Sequence, residues 1–251
     1  MESIRKPYQG VWNIIRFNWH FYVIAACSIV LLWVLANMFP SLAFYFLLAI
    51  AFIVLPTIIS LLTSFYVYDV SNLYSFNWIK NSDEPITIVN INAGFDETSS
   101  LLSKKFKNAK LYVFDFYDSS KHTEISIERA RKAYSKYPNT QQIVTHKIPL
   151  ENESVDNFFL IFAAHEIRNN EERNIFFKEV NRVLKDNGEV IVVEHLRDVT
   201  NFLAYNIGFF HFLSKHKWLA TFTNADFAIA KQIKHTPFIT SFTLTKYANT
   251  F

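Results

Sequence analysis

The fold is decided by residues 86–94, which read Ile-Thr-Ile-Val-Asn-Ile-Asn-Ala-Gly. Residues 86–91 are mostly apolar and rich in β-branched side chains, which is typical of a buried strand, and Ala93-Gly94 supplies a turn. Leu101 and Leu102 then form the apolar face of a helix. A buried strand that turns into a helix predicts the opening unit of an α/β sheet.

The same pattern repeats toward the carboxyl terminus. Further strands are predicted at residues 111–115, 142–145, 157–163, 189–194, 227–233 and 238–245. Helices are predicted at residues 123–137, from Asn169 or Asn170 to the Asp186-Asn187-Gly188 stop, at residues 201–213 and at residues 218–223. Such alternation predicts an open, mostly parallel sheet with right-handed crossovers. Ligands of these sheets bind beyond the carboxyl ends of the strands.

A long apolar stretch precedes this domain. Residues 17–68 contain no Asp, Glu, Lys or Arg. Pro40, which favours the start of a new helix, divides the stretch into residues 18–36 and 41–65. Each half is long enough to cross a bilayer. We therefore predict a transmembrane helical hairpin, in preference to a cleaved signal peptide, a buried soluble hairpin or a pair of interfacial helices.

The flanking charges predict how the hairpin is oriented. Arg5, Lys6 and Arg16 precede the first helix, whereas the turn between the helices carries no charge. By the positive-inside rule, both termini are expected to be cytoplasmic. The predicted organisation is a cytoplasmic segment (1–17), the hairpin (18–66), a juxtamembrane linker (67–84) and a cytoplasmic domain (85–251).

Composition excludes several classes of function. The formal net charge of +3 and the lack of a basic stripe argue against nucleic-acid binding. The single cysteine, Cys27, allows neither an intramolecular disulfide nor a multi-cysteine metal site. No Asp, Glu and His residues recur at the spacing of metal ligands, so we predict no metal site. The oligomeric state cannot be read from the chain.

Four segments carry a family resemblance. They are Ile-Pro-Leu-Glu-Asn-Glu-Ser-Val-Asp (148–156), Ala-Ala-His-Glu-Ile-Arg (163–168), Arg-Val-Leu-Lys-Asp-Asn-Gly (182–188) and Val-Val-Glu-His (192–195). Together they resemble the class I S-adenosylmethionine-dependent methyltransferases, in particular the type 11-like subgroup that contains the quinone C-methyltransferases. Residues 114–117, 121–124 and 130–131 also resemble the second motif of a membrane-anchored bacterial branch. The resemblance spans residues 86–246 and implies a Rossmann-like sheet with an antiparallel last strand.

The resemblance implies S-adenosyl-L-methionine as the cofactor and assigns its contacts. Asn90, Asn92, Ala93 and Gly94 occupy the place of the family's glycine-rich loop, of which only Gly94 remains a glycine. Asn90 replaces the acid of that loop, and Asn92 is a candidate substitute for a glycine because asparagine tolerates left-handed backbone.

Four more residues are assigned to the cofactor by position. Asp115 ends the second strand, where the family's acid binds the ribose hydroxyls, although a solvated aspartate or a helix cap is the alternative. Phe116 would lie against the adenine, and Ala163 follows the fourth strand. His146 is either an adenine contact or an exposed loop histidine.

The candidate catalytic residues follow the fourth and fifth strands. His165 is a candidate base, because histidine exchanges protons near neutral pH. Glu166 is a second candidate, with pairing to Arg168 or capping of the next helix as the alternatives. His195, next to Glu194, would line the same pocket. His211 is either a substrate contact or a core histidine.

These features predict a membrane-anchored methyltransferase. The anchor favours a membrane-resident acceptor, such as a quinone or phenol-like ring or a lipid headgroup. One alternative is a degenerate methyltransferase-like domain that serves as a membrane scaffold or cofactor sensor without catalysis, which the glycine-poor loop would suit. Another is an adaptor whose hairpin docks other membrane helices.

Overall fold

The computed structural model describes residues 5–82, 84–121 and 124–247. Its centre is a seven-stranded sheet in the order β3-β2-β1-β4-β5-β7-β6. The strands are β1 (Thr87–Asn92), β2 (Lys110–Asp115), β3 (Gln141–Gln142), β4 (Val155–Ile161), β5 (Leu184–His195), β6 (Phe227–Thr236) and β7 (Ile239–Lys246). Strands β1 to β5 pair in parallel, whereas β7 is antiparallel to both β5 and β6. This is the Rossmann-like methyltransferase fold, as predicted.

Eight α-helices accompany the sheet in the described part of the chain. They are α1 (Gln9–Phe17), α2 (Trp19–Met38), α3 (Ala43–Phe65), α4 (Ser99–Lys105), α5 (Ile125–Ala133), α6 (Asn170–Val183), α7 (Val199–Tyr205) and α8 (Lys215–Asn224). A π-helical turn, Tyr66–Val70, continues α3, and short 3-10 helices cover Pro40–Leu42, Asn72–Ser75, Ala164–Glu166 and Asn206–His211. His122 and Thr123, which the sequence assigned to a motif and a helix start, lie outside the described residues.

Three helix predictions differ from the structure. The helix predicted at residues 123–137 ends at Ala133, because Tyr134 has extended backbone. Helix α6 ends at Val183, before the predicted stop at Gly188, because Leu184 already has extended backbone and opens β5. Gly188 instead allows close strand packing, since a Cβ atom there would lie 2.8 Å from the carbonyl oxygen of Asp156. The helix predicted at residues 201–213 is divided at Asn206, whose φ is +50°.

The core fills both faces of the sheet. One apolar cluster lies between the sheet and the α6–α8 face, with Phe176, Phe177 and Trp218 fully buried. The cluster on the other face contains Val67 and Leu73 from the segment predicted to be a linker. Residues 67–79 are therefore built into the domain rather than suspended below it.

Helices α2 and α3 form the predicted apolar hairpin. An 18-residue window in each of the segments Trp19–Met38 and Pro40–Ser75 has a mean hydropathy of 2.2 and 2.6, respectively, and neither window is buried by the rest of the chain. By length and composition, both can cross a membrane. Their exposure differs from that of a soluble core helix, which would be covered by protein.

Helix α1 fastens the hairpin to the domain. The Asp69 carboxylate accepts hydrogen bonds from the backbone N–H groups of Gly10 (2.7 Å) and Val11 (2.8 Å), at the amino end of α1. At the other end, Arg129 of α5 donates to the Phe17 carbonyl oxygen at 2.6 Å. Carboxylate and cation thus match the positive and negative ends of the helix dipole.

Candidate functional site

Polar side chains take the place of the missing glycines after β1. The Asn90 amide donates to the hydroxyls of Thr98 (2.9 Å) and Ser99 (2.8 Å). The Asp96 carboxylate accepts from the backbone N–H groups of the same two residues, both at 2.9 Å. The loop is therefore held by its own side chains, which fix its path into α4.

Gly94 is required at its position. Its φ is +97°, a conformation that residues with a side chain adopt rarely, and an added Cβ would lie 2.8 Å from the Arg131 guanidinium. The idea that Asn92 replaces a glycine through left-handed backbone is wrong, because Asn92 ends β1 and is not among the described residues with positive φ. Its side-chain oxygen instead accepts from the Gly94 N–H at 3.0 Å, forming an Asx turn.

The loop keeps unpaired polar atoms beneath its surface. Asn90 Oδ1, Asn92 Nδ2 and Asp96 Oδ2 are buried without a hydrogen-bond partner among the described residues. Such atoms are costly unless a ligand or water completes them. Two acceptors and one donor suit the ammonium and carboxylate of an amino acid, so these residues fit the methionine end of S-adenosylmethionine. Ala93, between them, is buried.

Asp115 is in its predicted place but already has cationic partners. Its buried carboxylate pairs with Arg131 at 2.7 Å and Lys136 at 2.9 Å, and accepts from the Tyr117 N–H at 2.9 Å. The Arg131 side chain thus lies between Gly94 and Asp115. The cavity beside it measures about 70 Å³. Since ligand pockets usually span about 300–1,000 Å³, a nucleoside bound between Gly94 and Asp115 would need the Arg131 side chain to move aside.

The remaining predicted cofactor residues lie elsewhere. Phe116 is only 2% exposed and packs against Phe176 in the core, at 5.6 Å between ring centroids. His146 is exposed and lines a separate groove with Glu179 and Arg182. Ala163 is buried directly before the 3-10 turn Ala164–Glu166. The structure therefore groups Asn90, Asn92, Gly94 and Asp115, but not Phe116 or His146.

A second polar group lies beyond β4 and β5. Glu194 is buried at the end of β5, and one oxygen accepts from His165 Nδ1 at 2.7 Å while the other accepts from the His165 backbone N–H at 3.2 Å. His165 Nε2 lies 3.2 Å from Glu166 Oε1. Parallel pairing of β4 with β5 places both strand ends at one edge, which brings these residues together.

His211 completes this group from a distant part of the chain. Its Nε2 lies 3.1 Å from Glu166 Oε1, and its Nδ1 lies 3.2 Å from Glu124 Oε1. Arg168 donates to the His211 carbonyl oxygen and contacts the His211 ring. The sequence left His211 undecided, and it placed Glu124 only in the motif segment 121–124 without assigning it a role in the site. We call His165, Glu166, Glu194, His211 and Glu124 the histidine–carboxylate cluster.

Burial and charge act in opposite directions within the cluster. Burial alone would lower the pKa of His165, but the charges and hydrogen bonds of Glu194 and Glu166 raise it to about 10. Burial would raise the pKa of Glu166, yet hydrogen bonds from His165 and His211 hold it well below its usual value. In this arrangement His165 carries a proton at neutral pH, so it is poorly suited to accept one.

His195 has different neighbours from those expected of a catalytic residue. Its Nδ1 lies 3.1 Å from Asn201 Oδ1 and its Nε2 lies 2.7 Å from the Tyr68 hydroxyl. The Asn201 amide nitrogen donates to Phe238 O, which assigns its oxygen as the acceptor and the proton to His195 Nδ1. Burial lowers the pKa of His195 to about 3, and the ring stacks on Phe212. His195 thus joins β5 to the segment that follows the hairpin.

The structure also bears on metal binding, which the sequence did not predict. His165, Glu166 and His211 each offer one ligand atom, and these three atoms lie within 4.8 Å of one another. His211 is separated from the other two by more than forty residues, so no spacing rule would have joined them.

Comparison with known proteins agrees with the fold. Residues 89–192 match the family model described as a methyltransferase domain. No curated protein matches the sequence. A SAM-dependent methyltransferase from Aquifex aeolicus is 18% identical, with a TM-score of 0.48, and the alignment covers 63% of this chain and 81% of that one.

Two further solved structures share the architecture at low identity. The YcgJ protein from Bacillus subtilis is 20% identical, with a TM-score of 0.46 and coverage of 64% of this chain and 68% of that one. The pyocyanin biosynthetic protein PhzM is 9% identical, with a TM-score of 0.50 and coverage of 69% and 53%. Such identities speak for the fold alone. Residues 89–192 thus match a methyltransferase domain, and the cofactor that this match supports is S-adenosyl-L-methionine.

Proposed function

We propose that this protein transfers a methyl group from S-adenosyl-L-methionine to a membrane-resident acceptor, either a quinone or phenol-like ring or a lipid headgroup. The hairpin α2–α3 would span a bacterial-type inner membrane, with both termini in the cytoplasm. The observation that carries the proposal is an exposed apolar segment that joins the hairpin to the histidine–carboxylate cluster.

That segment consists of α7 and the 3-10 helix Asn206–His211. Helix α7 packs against α3. Val199, Leu203, Ile207 and Phe210 are 62–84% exposed, which is unusual for large apolar side chains grouped in a soluble domain. Beside a membrane helix, they would enter the headgroup region. His211 ends the segment, so an acceptor that leaves the lipid along it would meet the cluster first at His211.

The hairpin itself supports membrane anchoring. Its apolar windows are unburied, and Arg129 contacts Trp19 and His20 where α1 meets α2. A cation and an aromatic ring at this boundary are typical of the cytoplasmic interface of a membrane. Arg5 and Arg16 lie on the same side of the hairpin in sequence, as the positive-inside rule requires.

The chemistry divides between the two groups of residues. When bound, S-adenosyl-L-methionine supplies an electrophilic methyl group on a sulfonium centre. Asn90, Asn92 and Asp96 would hold its amino-acid end, and Asp115 its ribose, after Arg131 has moved. The histidine–carboxylate cluster would align the acceptor and hold its proton at His211. Alignment of this kind can supply about 7–11 kcal/mol of the barrier reduction.

A labelling experiment tests the proposal. The full chain, purified in detergent, would first be titrated with S-adenosyl-L-methionine by calorimetry, and then incubated with methyl-labelled cofactor and a bacterial lipid extract. We expect saturable binding and label in the organic phase. Absence of binding at millimolar cofactor would support the scaffold alternative, and label confined to water-soluble products would contradict the membrane acceptor.

A further inference from the structure

Two of the ligand-atom distances in the histidine–carboxylate cluster match those of a metal site. Two imidazole nitrogens, His165 Nε2 and His211 Nε2, lie 3.2 Å and 3.1 Å from the same oxygen, Glu166 Oε1. A tetrahedral ion with bonds of about 2.0 Å separates its ligand atoms by about 3.3 Å. The two nitrogen–oxygen distances are therefore close to those that an ion would require.

The opposite nitrogen of each ring is held by a further carboxylate. Glu194 lies 2.7 Å from His165 Nδ1, and Glu124 lies 3.2 Å from His211 Nδ1. Metal-bound histidines commonly donate their second N–H to a carboxylate, which orients the ring and makes the other nitrogen a better ligand. Here both histidines have this support, and both turn Nε2 toward Glu166.

Without an ion, the hydrogen bonds of the cluster depend on a second proton on the His165 ring. His165 has a carboxylate at each nitrogen, whereas a neutral imidazole has one N–H to give. Glu124, Glu166 and Glu194 bring three negative charges, and the Arg168 guanidinium beside His211 brings one positive charge. A divalent cation would bring the net charge of these residues to zero with both imidazoles neutral. Arg168 would have to yield its contact with the His211 ring.

We infer that His165, Glu166 and His211 form a binding site for a divalent transition metal ion, with Glu194 and Glu124 as supporting carboxylates. Two nitrogens and one oxygen suit Zn²⁺, Co²⁺ or Ni²⁺ better than Mg²⁺ or Ca²⁺, which prefer oxygen ligands. Three protein ligands leave a coordination position open, as in catalytic rather than structural zinc sites. An oxygen atom of the acceptor is the natural fourth ligand; this last step alone rests on the proposed function.

The test is metal binding by the full chain in detergent, without cofactor or acceptor. After treatment with a chelator, the protein would be titrated with Zn²⁺ by calorimetry and with Co²⁺ by visible absorption. We expect one ion per chain, d–d bands of nitrogen- and oxygen-bound Co²⁺, and much weaker binding of Mg²⁺. Because no methyl transfer is involved, the outcome is independent of whether the proposed function is correct.

Variants assign the ion to these residues. His211→Ala, at a half-buried position that threatens the fold least, should weaken Zn²⁺ binding by about 100-fold or more, and Glu194→Gln by about 10- to 100-fold. His216→Ala, at an exposed histidine of α8, is the matched control and should bind as the natural protein does. Circular dichroism would verify that each variant is folded. The inference is wrong if the natural protein binds no ion, or if a folded His211→Ala binds it equally well.

Discussion

The two polar regions at the carboxyl edge of the sheet differ in how their side chains are satisfied. Around β1 and β2, the loop residues bond to one another and Asp115 is paired with Arg131 and Lys136. Beyond β4 and β5, two imidazoles converge on Glu166 Oε1. The first region holds its backbone in shape and is covered by Arg131, whereas the second directs its polar atoms toward one point. The comparison teaches that polar side chains at one edge of a sheet can either fix the backbone or gather into a site.

The largest expected effect is on methyl transfer, and it comes from a change in the second region. Glu166→Gln keeps the shape of the side chain but removes the charge on which both imidazoles converge. We expect methyl transfer to fall by about 10²- to 10⁴-fold, with little change in cofactor affinity, as measured by label transfer to the lipid extract and by calorimetry. Glu151→Gln, an exposed glutamate, is the control. An unchanged rate would show that the cluster is not at the reaction centre.

The next effect belongs to the first region. Asp115→Asn weakens the hydrogen bonds that a charged acceptor offers the ribose, each of which is worth about 1.5–3 kcal/mol. Cofactor affinity should therefore fall by about 10- to 100-fold in calorimetry, whereas Asp186→Asn, whose carboxylate is largely exposed, should leave it unchanged. Equal affinities in the two variants would remove Asp115 from the cofactor site.

The third prediction concerns His195, which follows Glu194 in sequence but is not part of the histidine–carboxylate cluster. The unfolded chain protonates a histidine near pH 6.5, but folded His195 does so only near pH 3, because burial lowers its pKa. Between these values the unfolded state binds more protons, so stability is lost as pH falls through this window, by up to about 1.4 kcal/mol per pH unit.

Unfolding in detergent, followed by tryptophan fluorescence between pH 4 and pH 8, would measure this dependence. His195→Gln should flatten the slope relative to the natural protein, although it is less stable overall, whereas His216→Ala should retain the slope. If His195→Gln kept the natural protein's full dependence of stability on pH, burial would not lower the pKa of His195, and its contact with the Tyr68 hydroxyl would not hold it neutral.

The smallest effect concerns the covering side chain. Arg131→Met removes the guanidinium that lies between Gly94 and Asp115, while Lys136 still pairs with Asp115. The cofactor then no longer has to displace an ion pair, and its affinity should rise by a few-fold, since a partly exposed pair is worth about 1 kcal/mol or less. Arg182→Met, which removes the surface pair of Arg182 with Glu179, is the control. A drop in affinity would instead make Arg131 a cofactor ligand.

The sequence by itself determined the order of strands and helices, the hairpin and the strand-end positions of Asp115, His165, Glu166 and Glu194. These features are local, because hydrophobic period, turn residues and missing charges are read within a short window. Because these patterns are read locally, they predict the ends of helices and strands less accurately than their order. Helix α6 stops at Val183, ahead of the Asp186-Asn187-Gly188 signal, because Leu184 already has extended backbone and opens β5.

Only the tertiary structure decided which polar groups meet. Arg131 reaches Asp115 from another element, and His211 and Glu124 join Glu166 although they are 45 and 42 residues away from it in sequence. The burial of Val67 and Leu73 similarly converts an apparent linker into core. Such contacts depend on how crossovers and chain ends pack around the sheet. No local pattern encodes that packing, so the residues that form the site can be identified only from the folded structure.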